Sequence, residues 1–226
     1  LAELQTLGEL MWLRLDGNPI DGSGLGALAP LKRLQELGLS SCRLSDGALV
    51  VFPHLDSLAH LNLANNQIGD SVVTSLAKAN LDELLTLNMS RTDLTDRSLA
   101  SIALLKRIKT LVLSGTRIEN VEALSASPIK ALDLSWTPLS GRAVQQLSDI
   151  PQLQALNLYG TPITDDALST LAALKSLGLL TVGNTNLSEA SIDSLRKNLP
   201  DCRVNVRRER PFYVHPRVFP RTRIAD

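Results

Sequence analysis

Apolar residues recur along the chain at positions one, four, six and eleven of a unit that also fixes a small residue at position nine. Leu153, Leu156, Leu158, Thr161 and Ile163 set the frame L-x-x-L-x-L-x-x-T-x-I, and it begins again at Leu10, Leu34, Leu58, Leu84, Ile108, Ile129 and Leu177, giving eight complete copies. Position nine runs Asn18, Cys42, Asn66 and then Thr at 92, 116, 137, 161 and 185. Self-similarity of this length outranks any local motif, because each unit is one supersecondary element that buries its apolar face only by stacking on its neighbours.

Two periods alternate within a unit. The first half has period two, which predicts a strand whose positions one, four and six face the core while positions three, five and seven, Ser135 among them, lie on an exposed face. After Ile163 the rhythm changes to Leu168, Leu171, Leu174 and Leu177 behind Thr164-Asp165-Asp166, which predicts a helix of two to three turns starting at a Thr/Asp cap. Position nine sits where the strand turns away, so its side chain is expected to satisfy buried backbone groups. The third unit is long, at 26 residues, and the fifth is short, at 21, against 24 for the others. The fifth is expected to have lost one helical turn.

This frame resembles that of leucine-rich repeat proteins from Leu1 to about Val206, of the ribonuclease-inhibitor-like and bacterial T-D-x-x-L types. The resemblance implies an α/β solenoid, with a curved parallel sheet on the concave side and short helices on the convex side. Leu1, Leu4 and Leu7 precede Leu10 as Leu168, Leu171 and Leu174 precede Leu177, so the chain is expected to open within the helical half of a repeat and to be N-terminally truncated. Leu199, Cys202 and Val204 keep the frame for a partial ninth unit, and this L-P-x-C-x-V ending resembles the closing segment of bacterial arrays. Two regions follow: a repeat domain over 1–206 and a basic, Pro/Arg-rich tail over 207–226.

Composition narrows the classes without naming a partner. The chain has 226 residues, 44% hydrophobic and 3% aromatic, with Lys+Arg equal to Asp+Glu, which suits a globular core of stacked leucines and excludes a strongly basic nucleic-acid binder as a whole. From Arg203 to Asp226, however, seven arginines face two acids, leaving +5 there and −5 elsewhere. Pro211, Pro216 and Pro220 rule out a long helix or central strand in that segment, which reads as a partly extended tail or linker or, with Phe212, Tyr213 and Phe219, as a grip on an acidic partner, nucleic acid or a membrane surface. No apolar run reaches membrane-spanning length. Cys42 and Cys202 are separated by seven strand spacings, about 34 Å, so both are expected to be buried free thiols. That leans toward a reducing, cytoplasmic compartment and is compatible with a bacterial envelope as well.

No catalytic, cofactor or metal set converges. His60 at position three neighbours Glu36, which reads as a surface ion pair, since no oxyanion donors accompany it. His54 and His215 stand apart, and Gly22, Gly24 and Gly26 lack the following Lys-Ser/Thr of a phosphate loop. Among the 24 inner positions only Arg14, Asp16, Glu36 and Asp133 are charged, which argues against nucleic acid on the sheet face. Trp136, at position eight between Gly115 and Gly160, and Tyr159, at position seven of the next unit, read either as rings rising between glycines to form an interface anchor or, for Trp136, as a ring lying flat over the two glycines and covering backbone. With Asp133 and Asn157 they form the candidate contact site; Trp12 and Arg14 form a second. The expected function is a non-catalytic scaffold binding a protein or peptide on its concave sheet. The alternative is the substrate-recognition arm of a ubiquitin-ligase assembly, because these repeats also resemble arrays attached to F-box motifs.

Overall fold

The computed structural model describes residues 1–49, 55–79 and 81–207. The expectations for the basic tail, and for His54 and His215, fall outside the described residues. Nine strands of three residues each form one parallel sheet in chain order: β1 (Trp12–Arg14), β2 (Glu36–Gly38), β3 (His60–Asn62), β4 (Thr86–Asn88), β5 (Thr110–Val112), β6 (Ala131–Asp133), β7 (Ala155–Asn157), β8 (Leu179–Thr181) and β9 (Arg203–Asn205). β1 to β8 occupy positions three to five of their units; β9 corrects the expected ninth frame, because Val204 pairs with Leu180 and so stands at position four, not at position six as counting from Leu199 implied. The register is uninterrupted, with Leu13, Leu37, Leu61, Leu87, Leu111, Leu132, Leu156, Leu180 and Val204 paired in succession. Leu37 to Leu180 of this ladder are wholly buried. A period-two strand with both neighbours in register has one option for its leucines, the space between sheet and helices.

The opposite layer is less regular than the sequence implies. Helices α1 (Asp70–Lys78), α2 (Leu99–Ile102), α3 (Gly141–Gln146), α4 (Leu168–Ala173) and α5 (Glu189–Asn198) alternate with single 3-10 turns such as Leu25–Leu28 and Glu122–Leu124. A 3-10 turn advances about 2.0 Å per residue against 1.5 Å for an α-helix, so it spans the back of a unit with fewer residues. The short fifth unit retains only the turn Glu122–Leu124, as its missing residues require.

The Thr/Asp starts join units rather than only capping their own helices. Ser140 and Ser188 do cap locally, accepting from Ala143 N and Ser191 N. The aspartates reach forward. Asp46 Oδ1 accepts from Gly69 N at 2.6 Å, Asp70 takes Thr95 N and Oγ1 at 2.8 and 2.6 Å, and Asp96 Oδ1 takes Glu119 N at 2.8 Å. Asp165 Oδ1 likewise accepts from Ser188 N at 2.8 Å, and this bond, ahead of those from Ser191 and Ser188 side chains, holds its carboxyl below the usual range. Where the fifth unit has no such aspartate, Gln146 Oε1 reaches back to Val121 N at 2.8 Å.

Position nine behaves as expected, in two chemical forms. Asn66 accepts from the N–H groups of Cys42 and Leu44, 3.0 Å each, and donates to the carbonyls of Leu39, Leu63 and Ala64. The threonines make one short bond to the carbonyl three residues back, as in Thr92 Oγ1 to Met89 O and Thr137 Oγ1 to Leu134 O, both 2.6 Å. Cys42 Sγ donates to Leu15 O at 3.1 Å.

Both cysteines are free, but only Cys42 is buried; Cys202 is half-buried, because β9 has no strand beyond it among the described residues. Burial raises both thiols above their ordinary value, Cys202 to about 11. Thiolate, not thiol, is the nucleophile. Native protein should therefore react slowly with a disulfide reagent at pH 8, and the unreduced, denatured monomer should titrate two thiols. A count of zero without intermolecular linkage would contradict the stacking order.

Candidate partner-binding surface

The inner face of the sheet is more closed than alternation alone suggests. Strands about 4.8 Å apart let neighbouring side chains cover one another. From β4 to β8 the position-five residues are buried: Asn88 and Asn157 are 6% and 4% exposed, Val112, Asp133 and Thr181 are 0%, and Ser135 at position seven is 6%. The expected exposure of Asp133, Asn157 and Ser135 is thus corrected. Their polar atoms bind backbone. Asn88, Asp133 and Asn157 each accept, through Oδ1, from the N–H two residues on, at 3.0, 2.9 and 3.0 Å, so position five shapes the turn that follows it. This local side-chain mimicry of a turn is a strength of Asn and Asp.

That turn carries the residues of interest. Position eight is left-handed in all eight units: Gly17, Ser41, Asn65, Arg91, Gly115, Trp136, Gly160 and Asn184 have φ between 53° and 74°. The signal was present in the sequence as a column of Gly, Asn and Ser, the residues that tolerate this region. Gly115 and Gly160 thus answer a backbone requirement, not only a need for space around Trp136. Trp136 lies in the turn after β6, at the rim of the sheet rather than on its inner face. It leans over one glycine, not two: a Cβ on Gly160 would sit 2.7 Å from its ring, whereas one on Gly115 would meet Arg91.

Trp136 and Tyr159 meet edge to face, with ring centres 5.5 Å apart. Trp136 N donates to Tyr159 O at 2.8 Å, which ties the two turns together. Trp136 is 46% exposed and Tyr159 half-buried. Beneath them burial raises the Asp133 carboxyl above its ordinary value, opposed by bonding to Ser135 and Asn157. Oδ2 of Asp133 and Oγ1 of Thr181 have no hydrogen-bond partner among the described residues. Asp133 and Asn157 hold the turns that carry the aromatic pair, through the N–H groups of Ser135 and Tyr159. The backbone leaving β9 closes the far side, since the carbonyl of Val206 occupies the place a Gly183 side chain would take, close to the Tyr159 ring.

The second candidate cluster is engaged within the solenoid. Arg14 donates through Nε and Nη2 to Glu36 Oε1 at 3.0 and 2.9 Å, and Asp16 Oδ1 accepts from Ser40 N and Oγ at 2.8 and 2.7 Å. Trp12 is 47% exposed beside them on β1. Glu36 itself is 1% exposed, so its expected surface position is corrected: the carboxylate is buried, and it forms an ion pair with Arg14. Burial lowers the His60 imidazole below its ordinary value, partly offset by the charge of Glu36. Among the described residues no His, Cys, Asp and Glu cluster could hold a metal ion, and no helix is long and apolar enough to cross a membrane.

A single-file parallel sheet, leucine ladders, Asn or Thr at the buried turn and short helices behind define a repeat solenoid of the leucine-rich class. A profile of the leucine-rich repeat family matches residues 54–77. No curated protein sequence matches the chain. Solved structures with the same fold include internalin C2 from Listeria monocytogenes, with a TM-score of 0.69 and 21% identity over 89% of this chain and 83% of that one. An internalin, InlF, from the same species gives 0.60 and 18% over 93% and 71%. A leucine-rich repeat protein of Leptospira interrogans gives 0.50 and 19% over 90% and 62%. The chain has the leucine-rich repeat fold, and one of its repeats matches the family profile.

Proposed function

We propose that the solenoid is a non-catalytic scaffold that binds a protein or peptide at the concave side, with the contact centred on Trp136 and Tyr159 at the rim of the sixth and seventh units. One observation carries this reading. Trp136 is a bulky residue held at φ 58°, where seven other units place Gly, Ser, Asn or Arg, and it is nearly half exposed. A left-handed backbone costs a non-glycine residue about 1–2 kcal/mol, and that cost at an exposed aromatic points to use outside the folded chain. Aromatic side chains also bring large contact area with few rotors to order. Trp12 and Arg14 provide a second contact region, and the arginine-rich composition of residues 207–226 suits an acidic partner. No observation favours the ubiquitin-ligase role.

With a partner recovered by pull-down, calorimetry on Trp136→Ala and Tyr159→Ala should show each losing about 2 kcal/mol of binding or more, while Asn62→Ala, at the other end of the arc, loses little. Unchanged affinity in both aromatic variants would refute this contact site and direct attention to Trp12 and Arg14. Loss of binding only on deleting residues 207–226 would make the tail the functional element and the solenoid its spacer.

A further inference from the structure

The same rim carries a second, chemically different surface. A groove of about 550 Å³ opens across the turns of the second to fifth units, lined among others by Ser41, Arg43, Asn65, Gln67, Arg91 and Asp93. Arg43 and Arg91 are both exposed and left-handed, at φ 60° and 53°. Arg91 stands at position eight, where every unit is left-handed. Arg43 stands at position ten, and no other position ten shares its backbone. Among the described residues neither guanidinium has an ion pair or hydrogen bond, although Arg14, Arg33, Arg107, Arg117 and Arg196 are all matched to carboxylates. Asp93, the acid of the groove, is already held by Arg117 at 2.7 Å.

We propose that this groove binds the carboxylates of an acidic peptide segment, with Arg43 and Arg91 as the two charge anchors. The proposal rests on the protein-binding reading only in taking a polypeptide as ligand; it uses none of the residues of the aromatic site. Two strand spacings, about 10 Å, separate the units that carry Arg43 and Arg91, a step between two and four residues of extended peptide. Carboxylates at i and i+2, or at i and i+4, share one face of such a peptide and can each meet one guanidinium, whose planar fork matches a carboxylate in two-bond geometry. Between them lie neutral groups suited to a peptide backbone. Asn65 Nδ2 donates to Ser41 Oγ at 2.9 Å, so the Ser41 hydroxyl keeps its own hydrogen for a ligand, and Gln67 offers an amide of either sense. A nucleic acid would need a continuous basic stripe, whereas this rim passes from two unmatched arginines through Arg117, already paired with Asp93, to Gly115, Trp136, Pro138 and Pro162.

Fluorescence anisotropy on the full chain tests this, with fluorescein-labelled hexaglutamate as probe and hexalysine, a single-stranded oligonucleotide and inorganic phosphate as comparisons. Hexaglutamate should bind, more weakly as salt is raised, and Arg43→Gln or Arg91→Gln should each weaken it about tenfold. Arg43→Gly and Arg91→Gly should do the same while keeping or raising the melting temperature, because glycine suits the left-handed backbone. Trp136→Ala should leave the probe's affinity unchanged, as should Arg97→Gln and Arg142→Gln in the helical layer. Equal binding of hexaglutamate by the Arg43→Gln/Arg91→Gln double variant, or no binding by the natural chain, would overturn the proposal. So would equal loss from the helical-layer variants, or an oligonucleotide or phosphate that displaces the peptide at matching charge concentration. Failure of the aromatic site would instead appear with the natural partner and leave this probe's result intact.

Discussion

Asn66→Ala should lower the unfolding free energy by about 3–5 kcal/mol, more than truncation of any other polar side chain on the sheet. The amide is buried, at 6% exposure, and it both accepts from and donates to the backbone of two units. Its removal strands the N–H groups of Cys42 and Leu44 and withdraws the donor from the carbonyls of Leu39, Leu63 and Ala64. Each buried group left without a partner costs about 1–3 kcal/mol, and local relaxation keeps the sum below the simple total. Asn66→Thr should fall between, because a threonine here restores only the bond to the carbonyl three residues back, as Thr92 and Thr116 do. Asn62→Ala is the control: Oδ1 of Asn62 accepts a single 3.2 Å bond from Ala64 N in a partly exposed setting, so its loss should stay near 1 kcal/mol. Urea denaturation with constant m-values measures all three. Equal midpoint shifts for Asn62→Ala and Asn66→Ala would remove position nine from its assigned role.

The contrast between those two asparagines shows what the sequence could and could not specify. The eleven-residue frame was legible because its apolar positions obey one period in every unit, and stacking leaves leucines at four and six a single place to go. The role of position nine was legible for the same reason: a buried turn has backbone groups that only a short polar side chain reaches. Position five was not. Asn62, Asn88, Asp133 and Asn157 look like solvent-facing residues by alternation, yet neighbouring units 4.8 Å away cover most of them, and their side chains fold onto the next N–H. A strand pattern encodes direction, not how far adjacent strands shade each other.

Position eight was a signal seen but assigned to the wrong cause. Gly115 and Gly160 beside Trp136 suggested room for a ring, whereas the whole column is left-handed and the glycines would be favoured without any tryptophan. Only at Gly160 does close approach to the ring add a second reason. The Thr/Asp starts were likewise read one unit too locally. Asp46, Asp70, Asp96 and Asp165 sit at helix starts as caps do, and their carboxylates bond the following unit. Local spacing cannot tell a cap from a rung. The paired arginines of the groove carry no motif at all, since Arg43 and Arg91 are 48 residues apart and meet only through two turns of the solenoid.

Leu134→Ala isolates the packing that this register creates. Leu134 is wholly buried at position six, flanked in the stack by Leu113 and Leu158, which are equally buried. Its backbone is already committed in both directions: its N–H donates to Asn157 O at 2.9 Å, and its carbonyl accepts from Thr137 Oγ1 at 2.6 Å. Alanine preserves both bonds, so the loss should come from transfer and cavity alone, about 2–5 kcal/mol. The next residue gives the internal comparison. Ser135 is also buried, and its hydroxyl shares a 2.8 Å bond with Ser114 Oγ, so Ser135→Ala should cost about 0.5–1.5 kcal/mol by that bond and not by packing. Replacing Ser114 and Ser135 together by alanine should cost less than the sum of the single changes, because each hydroxyl is the other's partner. Chemical denaturation of the four variants separates these effects. A Leu134→Ala midpoint no lower than that of Ser135→Ala would mean that position six does not face the leucine core, and the alternation on which the whole stack is built would fail with it.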